Sequence, residues 1–367
     1  MTAGAKAIKP EVKALRAYSL SPRSASVKIN QNENPWDVSN AIKVETLRRL
    51  EKRKWSRYPD FVSGSLHEHL AGFASWRNDG VIAGNGSNEL IQATLMVTIG
   101  TGKRVLISEP TFALYRQVTT VLGGEVRTIP LTDGFQYNPL ALLKSVSDEQ
   151  PDVVILCSPN NPTGCLLADA DLRKILQSAP GLVIIDEAYH EFARHSVVPL
   201  LREFENLVVL RTFSKAMALA GLRLGYLLAS PALVTEIRKA VLPYNLNAFS
   251  QTAAEVAIEM YERELDPVVD RIVSERDRVF RALSVIPGLE PVASEANFMI
   301  VRSSIPPGSV FNQLLDRDIL VRDVSSYPML SEYFRVCVGT NEENDLLITA
   351  LTEIMANGQQ TQQGGLS

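Results

Sequence analysis

The chain has 367 residues, of which 46% are apolar and 21% are charged, and it contains 21 glycines and 20 prolines. This length and composition can fill the cores of two ordinary domains, and they exclude a disulfide-stapled miniprotein, a disordered chain and a collagen-like repeat. The 37 Lys and Arg residues nearly balance the 41 Asp and Glu residues, for a formal net charge of −4. The charge therefore predicts neither a nucleic acid nor an anionic membrane as a partner.

The cysteines and the apolar runs indicate the cellular compartment of the protein. Cys157, Cys165 and Cys337 are too few and too widely spaced for a disulfide framework or a metal-binding pair. Residues 1–10 lack the apolar stretch of a signal peptide, and no apolar run approaches the roughly 18 residues that a membrane span needs. We therefore expect a cytoplasmic protein that holds no metal ion.

In chain order, residues 1–30 show no clear period and are predicted to form an arm, and residues 31–245 a large domain. Within the large domain lie seven short runs rich in Val, Ile and Leu. Each run is followed by turn residues and then by a segment of helical periodicity. These runs cover residues 81–83, 105–108, 126–131, 153–158, 182–186, 207–212 and 224–229. Near-continuous apolar runs are typical of strands buried on both faces. Their alternation with helices predicts an α/β fold, with a mainly parallel sheet between helices and ligands at the carboxyl ends of the strands.

Residues 246–356 are predicted to form a smaller α+β domain. Apolar residues recur at helical spacing over about 249–285, and a last helix is expected over about 342–355. Short strands are expected at 297–301, 319–324 and 334–338. The tail 357–367 is rich in Gln and Gly, so we expect it to be disordered.

Two loops that follow predicted strands carry residues that could bind a ligand. Gly-Asn-Gly-Ser-Asn-Glu at 84–89 opens a helix, where free N–H groups can bind a phosphate, although a tight turn alone would also need its glycines. Glu89 stands where a dinucleotide fingerprint requires its third glycine. Ser-Pro-Asn-Asn-Pro-Thr-Gly at 158–164 is a rigid loop that fixes the Asn161 amide at the sheet edge.

Two charged residues at other strand ends point to catalysis. A carboxylate at the end of a buried strand is costly unless it meets a cation or strong donors, so Asp186 should face a metal or a protonated nitrogen, or else cap the next helix. Lys215 lies just beyond another strand, eight positions before Arg223. It is either an amine nucleophile beside an anion site or an ordinary surface lysine.

The sequence carries, in this order, the glycine turn at 84–89, the asparagine loop at 158–164, Asp186 and Lys215. This series resembles the aspartate aminotransferase fold family of pyridoxal phosphate enzymes, over about residues 18–355. Further segments resemble its histidinol-phosphate aminotransferase subfamily: Asn-Glu-Asn-Pro at 32–35, Arg-Tyr-Pro-Asp at 57–60, Pro-Thr-Phe-Ala-Leu-Tyr at 110–115 and Phe-Arg-Val-Cys-Val-Gly-Thr at 334–340. The resemblance implies a large cofactor-binding domain with a mainly parallel seven-stranded sheet and a smaller C-terminal domain. It also implies amino transfer between L-histidinol phosphate, a phosphorylated amino alcohol, and the 2-oxo acid 2-oxoglutarate.

The resemblance assigns roles around the cofactor ring. It implies that Lys215 holds pyridoxal 5'-phosphate as a Schiff base and later moves a proton. Asp186 would pair with the ring nitrogen, which keeps the ring an electron sink. Tyr189 and Asn161 would hydrogen-bond the phenolic oxygen, and Tyr115 would stack on the ring.

The resemblance also assigns residues to the two phosphates and to a partner subunit. The cofactor phosphate would be bound by Ser87, Asn88, Thr212, Ser214 and Arg223. Tyr58 would reach that phosphate from the neighbouring subunit of a homodimer. Four residues would contact the substrate, and these are Tyr18, Asn34, Arg322 and Arg335.

Other activities and classes of protein stay open. An aromatic amino-acid aminotransferase or a threonine-phosphate decarboxylase could use the same scaffold, and Arg335 could then bind a carboxylate. A noncatalytic sensor of pyridoxal phosphate is disfavoured because about 30 residues before position 32 are too few for a helix-turn-helix domain, and because Lys215 is present. A Rossmann-type oxidoreductase lacks its glycine fingerprint.

Overall fold

The computed structural model describes residues 3–15, 23–60 and 64–364. Its strands are β1 (Val27–Lys28), β2 (Val81–Gly84), β3 (Arg104–Glu109), β4 (Glu125–Pro130), β5 (Val153–Cys157), β6 (Leu182–Asp186), β7 (Leu207–Thr212), β8 (Gly225–Ala229), β9 (Leu289–Pro291), β10 (Phe298–Ser303), β11 (Ile319–Leu320), β12 (Arg322–Asp323) and β13 (Tyr333–Cys337).

The α-helices are α1 (Pro10–Ala14), α2 (Asn40–Glu51), α3 (Gly64–Phe73), α4 (Ser87–Thr98), α5 (Leu114–Leu122), α6 (Pro139–Glu149), α7 (Asp169–Ser178), α8 (His190–Ala193), α9 (Pro231–Ile237), α10 (Ala248–Glu259), α11 (Asp266–Ser284), α12 (Pro307–Leu315) and α13 (Asn341–Gly364). Within the described ranges, no helix is both long enough and apolar enough to cross a bilayer.

The seven strands predicted for the large sheet all form, in the order β2-β8-β7-β6-β5-β3-β4. Strand β8 runs antiparallel to β2 and β7, and the other neighbours are parallel, which confirms the mainly parallel sheet. The prediction of burial on both faces is wrong for β4, which has no buried residue. As an edge strand it has one neighbour, and Glu125 and Arg127 keep its surface charged.

The topology brings the motif loops to one edge of this sheet. Strands β2, β3, β5, β6 and β7 end there, and β8 begins there, with Gly225 opposite both Gly84 and Thr212 in the register. Gly225 must be glycine, because a Cβ on it would lie 2.4 Å from the backbone nitrogen of Ser87. Cys157 and Asp186 end neighbouring strands in register.

The smaller sheet has the order β12-β13-β10-β9 and is antiparallel, which confirms the α+β character of the C-terminal part. Its apolar core includes residues of α11, α12 and α13. The predicted helix over 249–285 is interrupted by a π-helical turn at Tyr261–Leu265. Pro267 has no N–H group for a continuous helical ladder, so α11 starts afresh around it.

The prediction for the C-terminal end needs correction. Helix α13 continues to Gly364. The predicted helix end near residue 355 is therefore wrong, and so is the predicted disorder over residues 357–364. Four glutamines in this segment have a good helix propensity and it contains no proline, although Gly358 is unfavourable in a helix by about 1 kcal/mol. The N-terminal arm packs on its own chain: Lys9 Nζ donates to the Val121 carbonyl at 3.1 Å, and β1 pairs with β11. The domain boundaries themselves stay predictions.

Candidate active site

A cavity of roughly 390 Å³ lies at the carboxyl edge of the large sheet. This volume is in the range of small-molecule sites. The smaller sheet closes it through residues of β12 and β13. Twelve of the fifteen predicted site residues line it: Ser87, Asn88, Tyr115, Asn161, Asp186, Tyr189, Thr212, Ser214, Lys215, Arg223, Arg322 and Arg335.

Asp186 ends β6 and is 3% exposed. Its carboxylate accepts hydrogen bonds from the Tyr115 hydroxyl at 2.7 Å and from the Ala188 backbone N–H at 3.1 Å. Burial raises the pKa of Asp186 to about 6, although these donors and the Lys215 charge oppose the shift. A buried acid of this kind is stabilised in its ionised form by a cationic ligand, and a protonated ring nitrogen is one.

Lys215 follows β7 and is half-buried, and its Nζ donates to the Gln31 carbonyl at 3.0 Å. Burial lowers the pKa of Lys215 to about 8, and the charges of Arg335 and Arg223 add to this effect, while Cys337 and Glu33 oppose it. A lysine with such a pKa has a sizeable neutral fraction near neutral pH. It can therefore act as an amine nucleophile or as a base.

Hydrogen-bond donors that could bind an anion lie where α4 begins. Gly86 precedes the helix with a φ of 79°, and a Cβ on it would lie 2.8 Å from Arg223 Nη2, so the guanidinium lies against the glycine turn. Arg223 Nη1 donates to Ser214 Oγ at 3.2 Å, and the Ser214 N–H donates to Thr212 Oγ1 at 3.1 Å. Helix N–H groups, hydroxyls and a guanidinium suit a phosphate dianion.

Asn161 and Tyr189 can both donate into the cavity. Arg335 Nη1 donates to Asn161 Oδ1 at 2.7 Å, which leaves the amide NH₂ of Asn161 free to donate elsewhere. Burial raises the pKa of Tyr189 above its ordinary value, so its hydroxyl keeps its hydrogen. Two such donors can converge on one anionic oxygen.

Two arginines line the cavity from the smaller sheet. The register of β12 and β13 makes Arg322 and Arg335 direct cross-strand partners. Arg335 is held by Asn161 and by the Asn30 carbonyl, at 2.8 Å from Nη2, whereas the Arg322 guanidinium has no hydrogen-bond or ion-pair partner among the described residues. Like charges directly opposite each other are unfavourable. An anion bound between them would remove that repulsion.

Of the remaining three predicted site residues, the two that the structure describes lie elsewhere. Tyr18 lies outside the described residues. Tyr58 is 80% exposed and stacks on Tyr244 at a centroid distance of 4.5 Å, away from the cavity. Asn34 donates to the Ala216 carbonyl at 3.2 Å and accepts from the Trp36 N–H, so its amide supports the backbone beside Lys215 and does not line the main cavity.

The stacking role of Tyr115 stays a prediction, and its hydrogen bond to Asp186 was not anticipated. Sequence reasoning also missed cavity residues such as Gln31, Asn32 and Tyr327. Gln31 directly precedes the Asn-Glu-Asn-Pro segment at 32–35 and Asn32 begins it, which was the available signal. Nothing in the sequence marks Tyr327, because folding of the smaller sheet alone brings it to the cavity.

The fold and this site define a class of protein. A buried carboxylate, a lysine of lowered pKa and a phosphate-binding helix start, on one edge of a mainly parallel sheet, are the arrangement of a pyridoxal-phosphate-dependent enzyme. The chain belongs to the family of class I and II aminotransferases, whose model matches residues 25–351. It is therefore a transaminase that uses pyridoxal phosphate.

Individual relatives match this chain over most of its length. A histidinol-phosphate aminotransferase of Chlorobium phaeobacteroides is 38% identical, over 94% of this chain and 96% of that relative. A crystal structure of histidinol-phosphate aminotransferase from Sinorhizobium meliloti in complex with pyridoxal-5'-phosphate matches with a TM-score of 0.86 and 24% identity, over 96% and 98% of the two chains. L-threonine-O-3-phosphate decarboxylase from Porphyromonas gingivalis matches with a TM-score of 0.78 and 23% identity, over 90% and 99%. At these identities the two structures show the fold alone.

Proposed function

We propose that the chain catalyses amino transfer between L-histidinol phosphate and 2-oxoglutarate, giving imidazole acetol phosphate and L-glutamate. The observation that carries the choice of a phosphorylated substrate is the Arg322 guanidinium, which lies opposite Arg335 and has no side-chain partner among the described residues. Two guanidiniums match the charge and the oxygen geometry of a phosphate dianion. The name of the Chlorobium relative supports the identity of the rest of the substrate.

Pyridoxal phosphate, when bound, supplies an electron sink for the substrate electrons. Lys215 would hold the cofactor through its aldehyde carbon, and as a free amine its Nζ would take the proton from the substrate carbon that bears the amino group. The pKa near 8 supports this role, because a base works best when its pKa lies near the operating pH. Asp186 would accept the N–H of the ring nitrogen, and Asn161 and Tyr189 would donate to the phenolic oxygen.

The two ends of the cavity would bind the two phosphates. The cofactor phosphate would lie at the start of α4 and take hydrogen bonds from Ser87, Asn88, Thr212, Ser214 and Arg223. The substrate phosphate would lie between Arg322 and Arg335, on the side of the smaller sheet. This separation leaves the reacting atoms beside Lys215.

The substrate assignment is tested by comparing kcat/KM for L-histidinol phosphate, phenylalanine and threonine phosphate in the purified holoenzyme. We expect L-histidinol phosphate to exceed phenylalanine by at least an order of magnitude. A preference for phenylalanine would contradict the phosphate site. Release of carbon dioxide from threonine phosphate at a higher kcat/KM would instead make the enzyme a decarboxylase.

We further propose a symmetric homodimer in the cytoplasm. Tyr58, Tyr244, Trp55 and Phe249 form an exposed aromatic surface, on which Trp55 is 85% exposed, and such a surface is typical of an interface. Tyr58 would reach the cofactor phosphate of the partner subunit. Mixing inactive Tyr58→Ala and Lys215→Ala subunits should then restore activity, because one site of each mixed dimer carries neither change. A monomer by sedimentation, or no restored activity in confirmed mixed dimers, would contradict shared sites.

A further inference from the structure

Asn32 is a buried residue beside Lys215 that no step above uses. It is 2% exposed, and its side chain lies between Cys337 on β13 and Tyr189. Its Nδ2 donates to the Tyr189 hydroxyl oxygen at 2.9 Å, and its Oδ1 accepts from the Cys337 thiol at 3.0 Å. The preceding carbonyl, that of Gln31, accepts from Lys215.

The direction of these bonds decides what the Tyr189 hydroxyl can do. A hydroxyl has one hydrogen to donate and two lone pairs to accept with. Because Asn32 donates to Tyr189, the tyrosine hydrogen is not used on Asn32 and can be donated into the cavity. If the amide were turned over, its oxygen would instead take that hydrogen, and Tyr189 would be lost as a donor to any ligand.

Cys337 selects between the two amide orientations. Its thiol hydrogen bonds Oδ1, which leaves Nδ2 on the side of Tyr189. Burial raises the pKa of Cys337, so the sulfur keeps this hydrogen near neutral pH. The Asn32 backbone N–H also donates to the same sulfur at 2.9 Å, so the thiol is held by two bonds to one residue.

The backbone of Asn32 is fixed as well. Its φ is 55°, a left-handed conformation that asparagine tolerates better than most residues. Asn297 Nδ2 donates to the Asn32 carbonyl at 3.2 Å. Every polar group of Asn32 therefore has a partner.

We propose that Asn32 and Cys337 are positioning residues that hold the Tyr189 hydroxyl as a hydrogen-bond donor to the phenolic oxygen of the bound cofactor. This inference rests on the proposed role of Tyr189. It assigns a function to a thiol and an amide that touch neither substrate nor cofactor in the proposed arrangement. Their effect reaches the reaction through the one hydrogen that Tyr189 donates.

The test compares Asn32→Gly, Tyr189→Phe and the double variant as holoenzymes. Glycine removes the amide and adopts the left-handed backbone easily. The readouts are the midpoint pH of the visible absorbance change of the bound cofactor and the cofactor Kd from equilibrium dialysis. A lost donor makes the phenolic oxygen more basic, so each single change should raise the midpoint by about half a unit to one unit and weaken cofactor binding about threefold or more.

The double variant decides between positioning and independent effects. If Asn32 acts through Tyr189, the double variant should match Tyr189→Phe alone. A double-variant shift equal to the sum of the two single shifts would overturn the inference. So would an Asn32→Gly midpoint equal to that of the wild type, if Tyr189→Phe shifts its own midpoint. Both results would leave the proposed function intact. If Tyr189→Phe changes neither readout, the proposed role of Tyr189 fails, and the inference fails with it.

Cysteine variants give a second route if Asn32→Gly does not fold. Cys337→Ala removes the thiol hydrogen and should raise the midpoint, whereas Cys337→Ser supplies a hydroxyl donor and should bring the midpoint back toward the wild-type value. Cys165→Ala is the matched control, because it also removes a buried thiol but one that contacts neither Asn32 nor Tyr189. A Cys337→Ala midpoint equal to that of Cys165→Ala would overturn the role of the thiol.

Discussion

The Arg322→Gln substitution has opposite expected effects on activity and on stability. Arg322 and Arg335 are direct cross-strand partners with like charges, and such a pair is unfavourable by about 0.2–1 kcal/mol. Removing one charge should therefore leave the thermal midpoint of the apoprotein unchanged or slightly higher. A hydrogen bond between a guanidinium and a phosphate contributes about 1.5–3 kcal/mol, so kcat/KM for L-histidinol phosphate should fall about tenfold to a hundredfold.

The assay pairs steady-state kinetics with thermal unfolding. Phenylalanine carries no phosphate, so its kcat/KM should change less than threefold in the same variant. Arg302→Gln is a matched control: Arg302 lies in the same sheet, on β10, but pairs with Glu332 at 2.8 Å and does not line the cavity. An equal loss for both substrates, or a clear loss of stability in Arg322→Gln, would refute the phosphate site between the two arginines.

Three further predictions concern buried charges. Lys215→Ala should abolish turnover and still bind the cofactor without a covalent bond, as dialysis and absorbance would report; substantial residual transamination would count against the assigned role. Asp186→Asn should bind the cofactor weakly but stabilise the apoprotein at pH 7.5. The folded pKa of about 6 lies above the ordinary value of 3.8, so Asp186 contributes stability below pH 4 that is lost as the pH rises through 6. The increase in the free energy of unfolding of Asp186→Asn over the wild type, measured in urea, should accordingly shrink as the pH falls from 7 to 4. A difference that stays constant with pH would contradict this. Glu187→Gln should cost about 3–5 kcal/mol, because Arg211 donates to Glu187 at 2.9 Å in a buried pair; Glu203→Gln, in an exposed pair, is the control, and equal losses would be inconsistent with the burial argument.

The sheet could be predicted from the sequence because its strands are short and almost wholly apolar. All seven strands form at the predicted places, and the mainly parallel arrangement follows from the helices between them. The strand β4 is the exception, because Arg127 and Thr128 interrupt its apolar residues, and this interruption is the sequence signal for its exposure. The strand β9 was missed because only three residues pair.

The site could be predicted wherever a residue follows a strand of the large sheet. Asp186, Lys215 and Asn161 lie at such ends, and the topology alone brings them to one edge. Asn32 and Tyr327 could not be found in this way, since their approach to the cavity depends on packing between distant segments. The Tyr115 hydroxyl bond to Asp186 likewise joins residues 71 positions apart.

The most direct measurement of the central claim is borohydride reduction of the holoenzyme, followed by peptide mass spectrometry. Reduction fixes the cofactor to the amine that holds it. We predict one modified peptide that carries the cofactor mass on Lys215, and no such peptide after the Lys215→Ala change. A cofactor fixed to another lysine, or an unmodified Lys215 in a holoenzyme that is fully active before reduction, would contradict the site described above.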